Sequence, residues 1–266
     1  IQHGGNLSLK GVNKEIVAPS DDPKTGARAL TSEEIKDLVK AFGNAAELAL
    51  KAGFDGVEIH GANRYLIHQF VSGYTNKRTD EWGGSREKRM KFSMDIIDCI
   101  DSIKKKYNAN NFIVGYRFSP EEPQEDGLTM EDTFALIDKL VTKPLQYLHV
   151  SLWNFYKKCR RGADTNKFRI DLIHQRINGK LPLIGVGYLL SAEDIIKAYN
   201  TGFAEFIAVG KAIIINKNLG NLMAEKKYNE IETQLDPNNK EKYSIPNSIW
   251  NMLENNNNRD WLPPLK

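Results

Sequence analysis

The sequence predicts an α/β fold built on a parallel sheet. Short apolar runs alternate with longer segments of helical period, which is typical of repeated strand–helix units. Five strands are each followed by a helix, and the last two strands end in glycine just before the helix begins. A doubly wound sheet and a (β/α)₈ TIM barrel both fit this order. We favour the barrel, because barrels often build a phosphate site from the loops after their final two strands.

The first strand–helix unit is the most clearly marked. Thr31-Ser32-Glu33-Glu34 predicts a capping box at a helix start. Apolar residues then recur at helical spacing from Ile35 to Ala49, and Gly53 ends the helix. A strand is predicted at once, over 54–60.

The same unit then recurs along the chain. Helices are predicted at about 86–107, 130–142, 167–178 and 191–201, and another helix opens at Lys211. Strands are predicted at 112–118, 147–151, 181–186 and 205–210. The stretch after position 235 is rich in asparagine. We therefore predict a barrel domain over 1–235 and a loosely packed C-terminal extension over 236–266, in which Trp250 and Trp261 are expected to dock on the barrel.

Composition excludes several functional classes. The net charge is only +3, with 37 Lys and Arg against 34 Asp and Glu, which gives no electrostatic case for nucleic acid or an anionic membrane. The two cysteines, Cys99 and Cys159, are far apart and lack neighbouring ligands, so no metal site is expected. No apolar run is long enough to span a membrane. The two cysteines are interpreted as free thiols in a reducing compartment, so a cytoplasmic location is expected.

The segment after the first predicted strand carries the densest polar chemistry. His60 and Asn63 could donate hydrogen bonds to one carbonyl oxygen, and the hydroxyl of Tyr65 could deliver a proton. Such a set could polarise an α,β-unsaturated carbonyl and protonate the resulting enolate. Spacing alone favours a simpler interpretation, a strand-end turn whose polar side chains satisfy the backbone.

Arg117 is a second candidate. It lies in the apolar run 113–118, where a charge is costly unless it has a partner. The guanidinium could stabilise negative charge on a buried cofactor ring, or it could form an ion pair with a neighbouring carboxylate. The sequence leaves both readings open.

The segments Gly53 to Asn63, Tyr65 to Phe70 and Asn76 to Ser85 resemble the most distinctive segments of the old yellow enzyme family, and the surrounding sequence is most similar to its bacterial NADH-dependent flavin oxidoreductases. The resemblance implies an FMN-dependent enzyme on a TIM barrel. Hydride would pass from NADH or NADPH through FMN to an activated alkene, and the protein would position and polarise the substrate.

The resemblance also implies a role for each matching residue. His60 and Asn63 match the pair that binds the substrate carbonyl, and Tyr65 matches the proton donor. Arg117 matches the arginine at the flavin pyrimidine edge. Val186, Gly187 and Gly210 match the backbone that binds the FMN phosphate, and Lys211 stands where the family usually has arginine, which removes the bidentate fork.

The start of the chain departs from the family pattern. His3-Gly4-Gly5-Asn6 resembles the end of the third barrel strand, which predicts an incomplete barrel of strands 4–8 plus the end of strand 3. We therefore expect a longer functional protein, and we expect this chain alone to bind FMN poorly and to aggregate. Arg64 stands where the family often has glycine.

Two other functions stay open at this point. The glycine-ended strands alone would suit a non-flavin barrel lyase or isomerase acting on a phosphorylated metabolite, and the short start would suit an inactive truncated relative. The expected partner is a small-molecule substrate, with neither nucleic acid nor membrane. The pattern does not exclude a homo-oligomer.

Overall fold

A five-stranded parallel sheet organises the computed structural model, which describes residues 1–8, 15–255 and 262–266. Its strands follow one another in space in the same order as in sequence, which is the arrangement expected of successive strand–helix units. They are β3 (Gly56–Gly61), β4 (Ile113–Phe118), β5 (Tyr147–Val150), β6 (Leu183–Gly185) and β7 (Phe206–Ile207); a separate parallel pair is formed by β1 (Val17–Ala18) and β2 (Arg28–Ala29).

All of the predicted strands and helices are present, and the last two strands are shorter than predicted. The helices are α1 (Ser32–Lys51), α2 (Leu66–Val71), α3 (Arg86–Lys106), α4 (Met130–Leu140), α5 (Arg169–Ile177), α6 (Ala192–Asn200), α7 (Lys211–Ile215), α8 (Leu219–Ala224) and α9 (Asn247–Glu254). The predicted capping box is confirmed: Glu34 N donates to Thr31 Oγ1 (3.2 Å), and Thr31 N donates to Glu34 Oε2 (2.8 Å). Gly53 follows α1 with φ +83°, a conformation that favours glycine.

The register of the sheet separates an apolar face from a polar one. Ile59, Tyr116, Leu148 and Leu183 lie side by side and are fully buried in the main core. The alternate row places His60 beside Arg117 and Arg117 beside His149. Because side chains alternate between the two faces of a strand, these polar residues share the face opposite the core.

Hydrogen bonds and an ion pair hold the segment 76–85 in place. Asn76 donates from its amide to the carbonyl oxygens of Phe70 and Trp82, and Trp82 is buried. Arg78 pairs with Asp80 and donates to the carbonyl of Leu30 after β2. These contacts fix the long loop between α2 and α3 against the β1–β2 pair.

The described part of the C-terminal region forms a small apolar cluster. Tyr243, Trp250 and Leu253 are buried, together with Leu190, Ile215, Leu235 and Leu262. Trp261 lies outside the described residues, and the proposed domain boundary at 235 stays a prediction. Across the described ranges, no helix combines the length and apolarity needed to cross a membrane, and no His, Cys, Asp and Glu side chains are grouped as a metal site.

Candidate active site

The site begins where β3 ends. His60 and Tyr65 come together with their ring centroids 5.2 Å apart. Between them, Asn63 (φ 56°) and Arg64 (φ 62°) both adopt the left-handed backbone conformation, which is unfavourable for most residues other than glycine and asparagine. This turn returns the chain so that α2 starts directly after Tyr65. Backbone strain of this kind concentrates at functional sites.

His60 is held in its neutral form. Burial, together with the nearby positive charge of Arg117, lowers the pKa of its imidazole to about 4. Its Nε2 is buried, and no hydrogen-bond partner for it is found among the described residues. A neutral imidazole has one N–H to donate, so His60 can polarise a ligand oxygen near neutral pH without carrying a charge.

Arg117 lies beside His60 in the register of β3 and β4. One terminal nitrogen donates to Ser151 Oγ (3.1 Å). Its buried Nε has no hydrogen-bond partner within the described chain. Burial lowers the pKa of the guanidinium, and the charge of Glu58 opposes that shift. Arg117 does not form a direct ion pair with Glu58, because the Glu58 carboxylate contacts His149 instead.

Glu58 reaches across the sheet to β5. Its Oε2 lies 2.9 Å from His149 Nδ1 and accepts a hydrogen bond from Tyr147 Oη (3.1 Å). Gly115 on the intervening strand makes this possible, since a Cβ there would lie 2.0 Å from the ring of Tyr147. Burial raises the pKa of the Glu58 carboxyl, but His149, Arg117 and Tyr147 together outweigh burial and lower the pKa overall.

The amide of Asn63 is held through its oxygen. Ser151 Oγ donates to Asn63 Oδ1 (2.8 Å), and Ser119 Oγ lies 3.4 Å from the same oxygen. Asn63 N in turn donates to Ser119 Oγ (2.9 Å). The side chain of Asn63 is solvent-exposed, and this geometry leaves its Nδ2–H groups available to a ligand.

The predicted phosphate-binding residues lie after the adjacent strands β6 and β7. Val186 and Gly187 follow β6, and Gly187 O accepts a hydrogen bond from Phe155 N (3.0 Å). A Cβ at Gly187 would lie 2.3 Å from that nitrogen, so this position requires glycine. Gly210 precedes α7 and has open space where a Cβ would project. Lys211 Nζ lies 4.6 Å from the ring centroid of Tyr188.

Residues 1–6 complete one side of the site. Ile1 runs beside β3, with Ile1 O accepting from His60 N (3.1 Å). Gln69 on α2 is buried, and its amide donates to Asn6 Oδ1 (2.7 Å) and to the carbonyl oxygen of Arg64. The N-terminal segment therefore packs directly against the turn that carries Asn63 and Arg64.

The residues present fit an FMN group on chemical grounds. The buried Nε of Arg117 and the buried Nε2 of His60 lie on the same face of the sheet, and neither has a partner in the part of the chain that the structure describes. A flavin pyrimidine ring offers carbonyl acceptors, which suit a guanidinium donor. The exposed backbone at Gly210 suits the close approach of a phosphate.

Three contributing residues were not identified from the sequence, namely Glu58, Ser119 and Ser151. Each carried a usable signal. Glu58 is a charge inside a strand, as Arg117 is, while Ser119 and Ser151 directly follow β4 and β5. Polar residues at the carboxyl ends of parallel strands meet at one edge of the sheet, and this rule would have selected both serines.

Comparison with known proteins agrees with this geometry. The sequence profile of the NADH:flavin oxidoreductase / NADH oxidase family matches residues 8–230. A probable NADH-dependent flavin oxidoreductase, YqiG of Bacillus subtilis (strain 168), is 45% identical over 99% of this chain and 71% of its own length. The NADH:fumarate oxidoreductase of Klebsiella pneumoniae (strain 342) is 35% identical over 94% of this chain, which spans 28% of that protein.

A solved structure extends the likeness to the fold. Morphinone reductase in complex with tetrahydroNAD superimposes with a TM-score of 0.67 at 27% identity, covering 84% of this chain and 64% of that one. The fold and its relatives define a class, the flavin-dependent oxidoreductases. The chain belongs to the NADH:flavin oxidoreductase / NADH oxidase family.

Family membership confirms several predictions. The resemblance to old yellow enzymes is confirmed, as is the class of FMN-dependent oxidoreductase with a nicotinamide donor. The α/β fold with a parallel sheet is confirmed too. The roles of the individual site residues stay predictions.

Proposed function

We propose that this chain belongs to an ene-reductase that passes hydride from NADH or NADPH, through FMN, to an alkene activated by a conjugated carbonyl or carboxyl group. The observation that carries the proposal is the convergence of donors at the end of β3. His60 Nε2, which is neutral and has no partner among the described residues, and the amide of Asn63, which is held through its oxygen, support binding of one ligand oxygen. Fumarate, the acceptor in the name of one relative, is such an activated alkene.

The proposed chemistry divides between cofactor and protein. When bound, FMN supplies hydride transfer from the nicotinamide donor to the alkene. His60 and Asn63 donate hydrogen bonds to the conjugated oxygen, which stabilises the negative charge that develops there. The Tyr65 hydroxyl gives its proton to the α-carbon. Arg117 would hold the pyrimidine edge, while Val186, Gly187, Gly210 and Lys211 would hold the phosphate.

In this proposal the five-stranded sheet corresponds to strands 4–8 of a TIM barrel, with Ile1–His3 at the end of strand 3. Two observations support it. Ile1 hydrogen-bonds to β3 on the side opposite β4, as a preceding strand would. The superposition with morphinone reductase also covers 64% of that larger chain.

The test separates the two halves of the reaction. The protein is loaded with FMN, reduced anaerobically with NADH while flavin absorbance is followed, and then mixed with 2-cyclohexenone. Tyr65→Phe should leave reduction by NADH within about twofold and slow reoxidation by the enone roughly 10²-fold or more. Tyr74→Phe, a tyrosine change outside the site, is the control. Equal reoxidation rates for Tyr65→Phe and the unaltered protein would refute the proposed proton donor.

A further inference from the structure

We infer that Ser151 is a positioning residue, which orients the Asn63 amide toward the substrate oxygen and links it to Arg117. The inference rests on the proposed function, since it concerns how that site binds its ligand. The inference goes beyond the proposed function by assigning a role to a side chain that need not touch the ligand.

The direction of each hydrogen bond follows from the chemistry of the groups. Arg117 can only donate, so Ser151 Oγ must accept the contact at 3.1 Å. A serine hydroxyl has a single proton, and with a lone pair engaged by the guanidinium, that proton points to Asn63 Oδ1 at 2.8 Å. The chain therefore runs in one direction, from Arg117 through Ser151 to Asn63.

Ser119 enforces the same orientation from the other side. Its Oγ accepts from the backbone N of Asn63 (2.9 Å), and its proton is left facing Oδ1 at 3.4 Å. If the amide were turned by 180°, Nδ2 would face two hydroxyl groups that each already accept an N–H, and their protons would lose their acceptor. The amide oxygen is therefore held inward, and Nδ2 faces the ligand.

This arrangement makes substrate binding depend on Ser151, a side chain that need not touch the ligand. The contact from a charged guanidinium strengthens the hydrogen bond that Ser151 passes on. Because Arg117 also faces the proposed pyrimidine edge, one hydroxyl joins the cofactor side and the substrate side of the site. Loss of that hydroxyl frees the amide to rotate and weakens its hold on a ligand oxygen.

The experiment compares variants of equal shape. In the FMN-loaded protein, Ser151→Thr keeps the hydroxyl, whereas Ser151→Val replaces it with a methyl group of the same size. The probe is 4-hydroxybenzaldehyde, and its Kd is measured by calorimetry, with the Kd of FMN measured separately by fluorescence. We expect Ser151→Val to raise the probe's Kd about tenfold and Ser151→Thr to stay within about threefold. FMN affinity should change less than threefold in both.

Additivity decides whether the effect passes through Asn63. In an Asn63→Ala background, Ser151→Val should change the probe's Kd by less than twofold. Ser102→Ala, an exposed serine on α3, controls for the loss of any hydroxyl. Equal Kd values for the Thr and Val variants, or full additivity with Asn63→Ala, would overturn the inference.

The inference and the proposed function fail in different ways. If the unaltered protein reduces 2-cyclohexenone and Asn63→Ala impairs it, but Ser151→Val binds the probe normally, only the positioning role is wrong. If the FMN-loaded protein reduces no enone and Asn63→Ala leaves the probe's Kd unchanged, the proposed function fails, and the inference that rests on it fails too.

Discussion

The buried carboxylate of Glu122 allows a quantitative prediction. Its Oε1 lies 3.0 Å from His68 Nε2, and both side chains are at most 3% exposed. Its Oε2 accepts from Ser72 Oγ and from Leu128 N (3.0 Å). These contacts connect α2, directly after the proposed site, with the loop that follows β4. Replacing the carboxylate with the amide of Glu122→Gln removes the charge while keeping the shape.

The magnitude follows from the shifted pKa. Burial by itself raises the pKa of Glu122, but His68, Ser72 and Leu128 outweigh burial and lower it from 4.5 to about 2. At about 1.36 kcal/mol per pKa unit, this stabilises the folded state by about 3 kcal/mol at pH 7. A lowered carboxyl pKa means that the unfolded chain binds more protons between pH 2 and 4.5. The stabilisation is therefore present above pH 4.5 and falls to about 1 kcal/mol by pH 3.

Denaturant unfolding at pH 7 and at pH 3 measures both parts of this prediction. We expect Glu122→Gln to lower the free energy of unfolding by about 3 kcal/mol at pH 7 and by about 1 kcal/mol at pH 3. The slope of that free energy against denaturant concentration should not change. Glu125→Gln, an exposed change in the same loop, should stay within about 0.5 kcal/mol. A loss below about 1 kcal/mol at pH 7, or one that is the same at both pH values, would show that the carboxylate does not hold this loop as argued.

Three further predictions concern the site. The pKa of His60 is lowered to about 4, so the unfolded state binds more protons between pH 4 and 6.5. From pH 7 to pH 5, the free energy of unfolding of the unaltered protein should therefore fall by about 1 kcal/mol more than that of His60→Gln, after discounting for the partial exposure of the imidazole. Parallel curves of unfolding free energy against pH would contradict this. Arg64→Gly removes the strain of an arginine in the left-handed conformation and should raise the free energy of unfolding by up to about 1 kcal/mol. The control, Lys88→Gly in α3, should lower it by about 1 kcal/mol. A lower free energy of unfolding for Arg64→Gly would refute the argument from strain. Lys211→Arg offers phosphate a bidentate fork and should lower the Kd of FMN about fivefold, by roughly 1 kcal/mol; in a fluorescence titration, an unchanged or higher Kd would place the phosphate elsewhere.

Local signals in the sequence were enough to predict α1 and α3 to α7. Thr31 with Glu34, and Ser191 in the predicted 191–201 helix, are complete N-terminal caps, because the partners lie within three residues of each other. The sequence did not predict α2, whose six residues are all buried, because a helix buried on every side has no polar face to reveal its period. The strand β7 has only two residues and lies at one edge of the described sheet.

The partners of site residues could not be predicted in the same way, because they depend on register across strands. For Arg117, a charge in an apolar strand, the sequence left open an ion pair with a neighbouring carboxylate. The structure instead joins Glu58 to His149 across Gly115, which leaves Arg117 to contact Ser151. The absence of a side chain at Gly115 leaves room for the ring of Tyr147, whose hydroxyl donates to Glu58.

This arrangement also explains what kind of ligand the site can favour. Glu58 contacts His149 and acts on Arg117 only through its charge, and the charge of Arg117 helps to keep His60 neutral. Ser151 and Ser119 hold the oxygen of Asn63 away from the ligand, so His60 and Asn63 both present N–H groups. Two neutral donors bind an oxygen that gains negative charge during reaction more strongly than one that does not. Under the proposed function, the polar face of the sheet would favour an enolate-like transition state, and each bond in the relay from Arg117 would contribute to that preference.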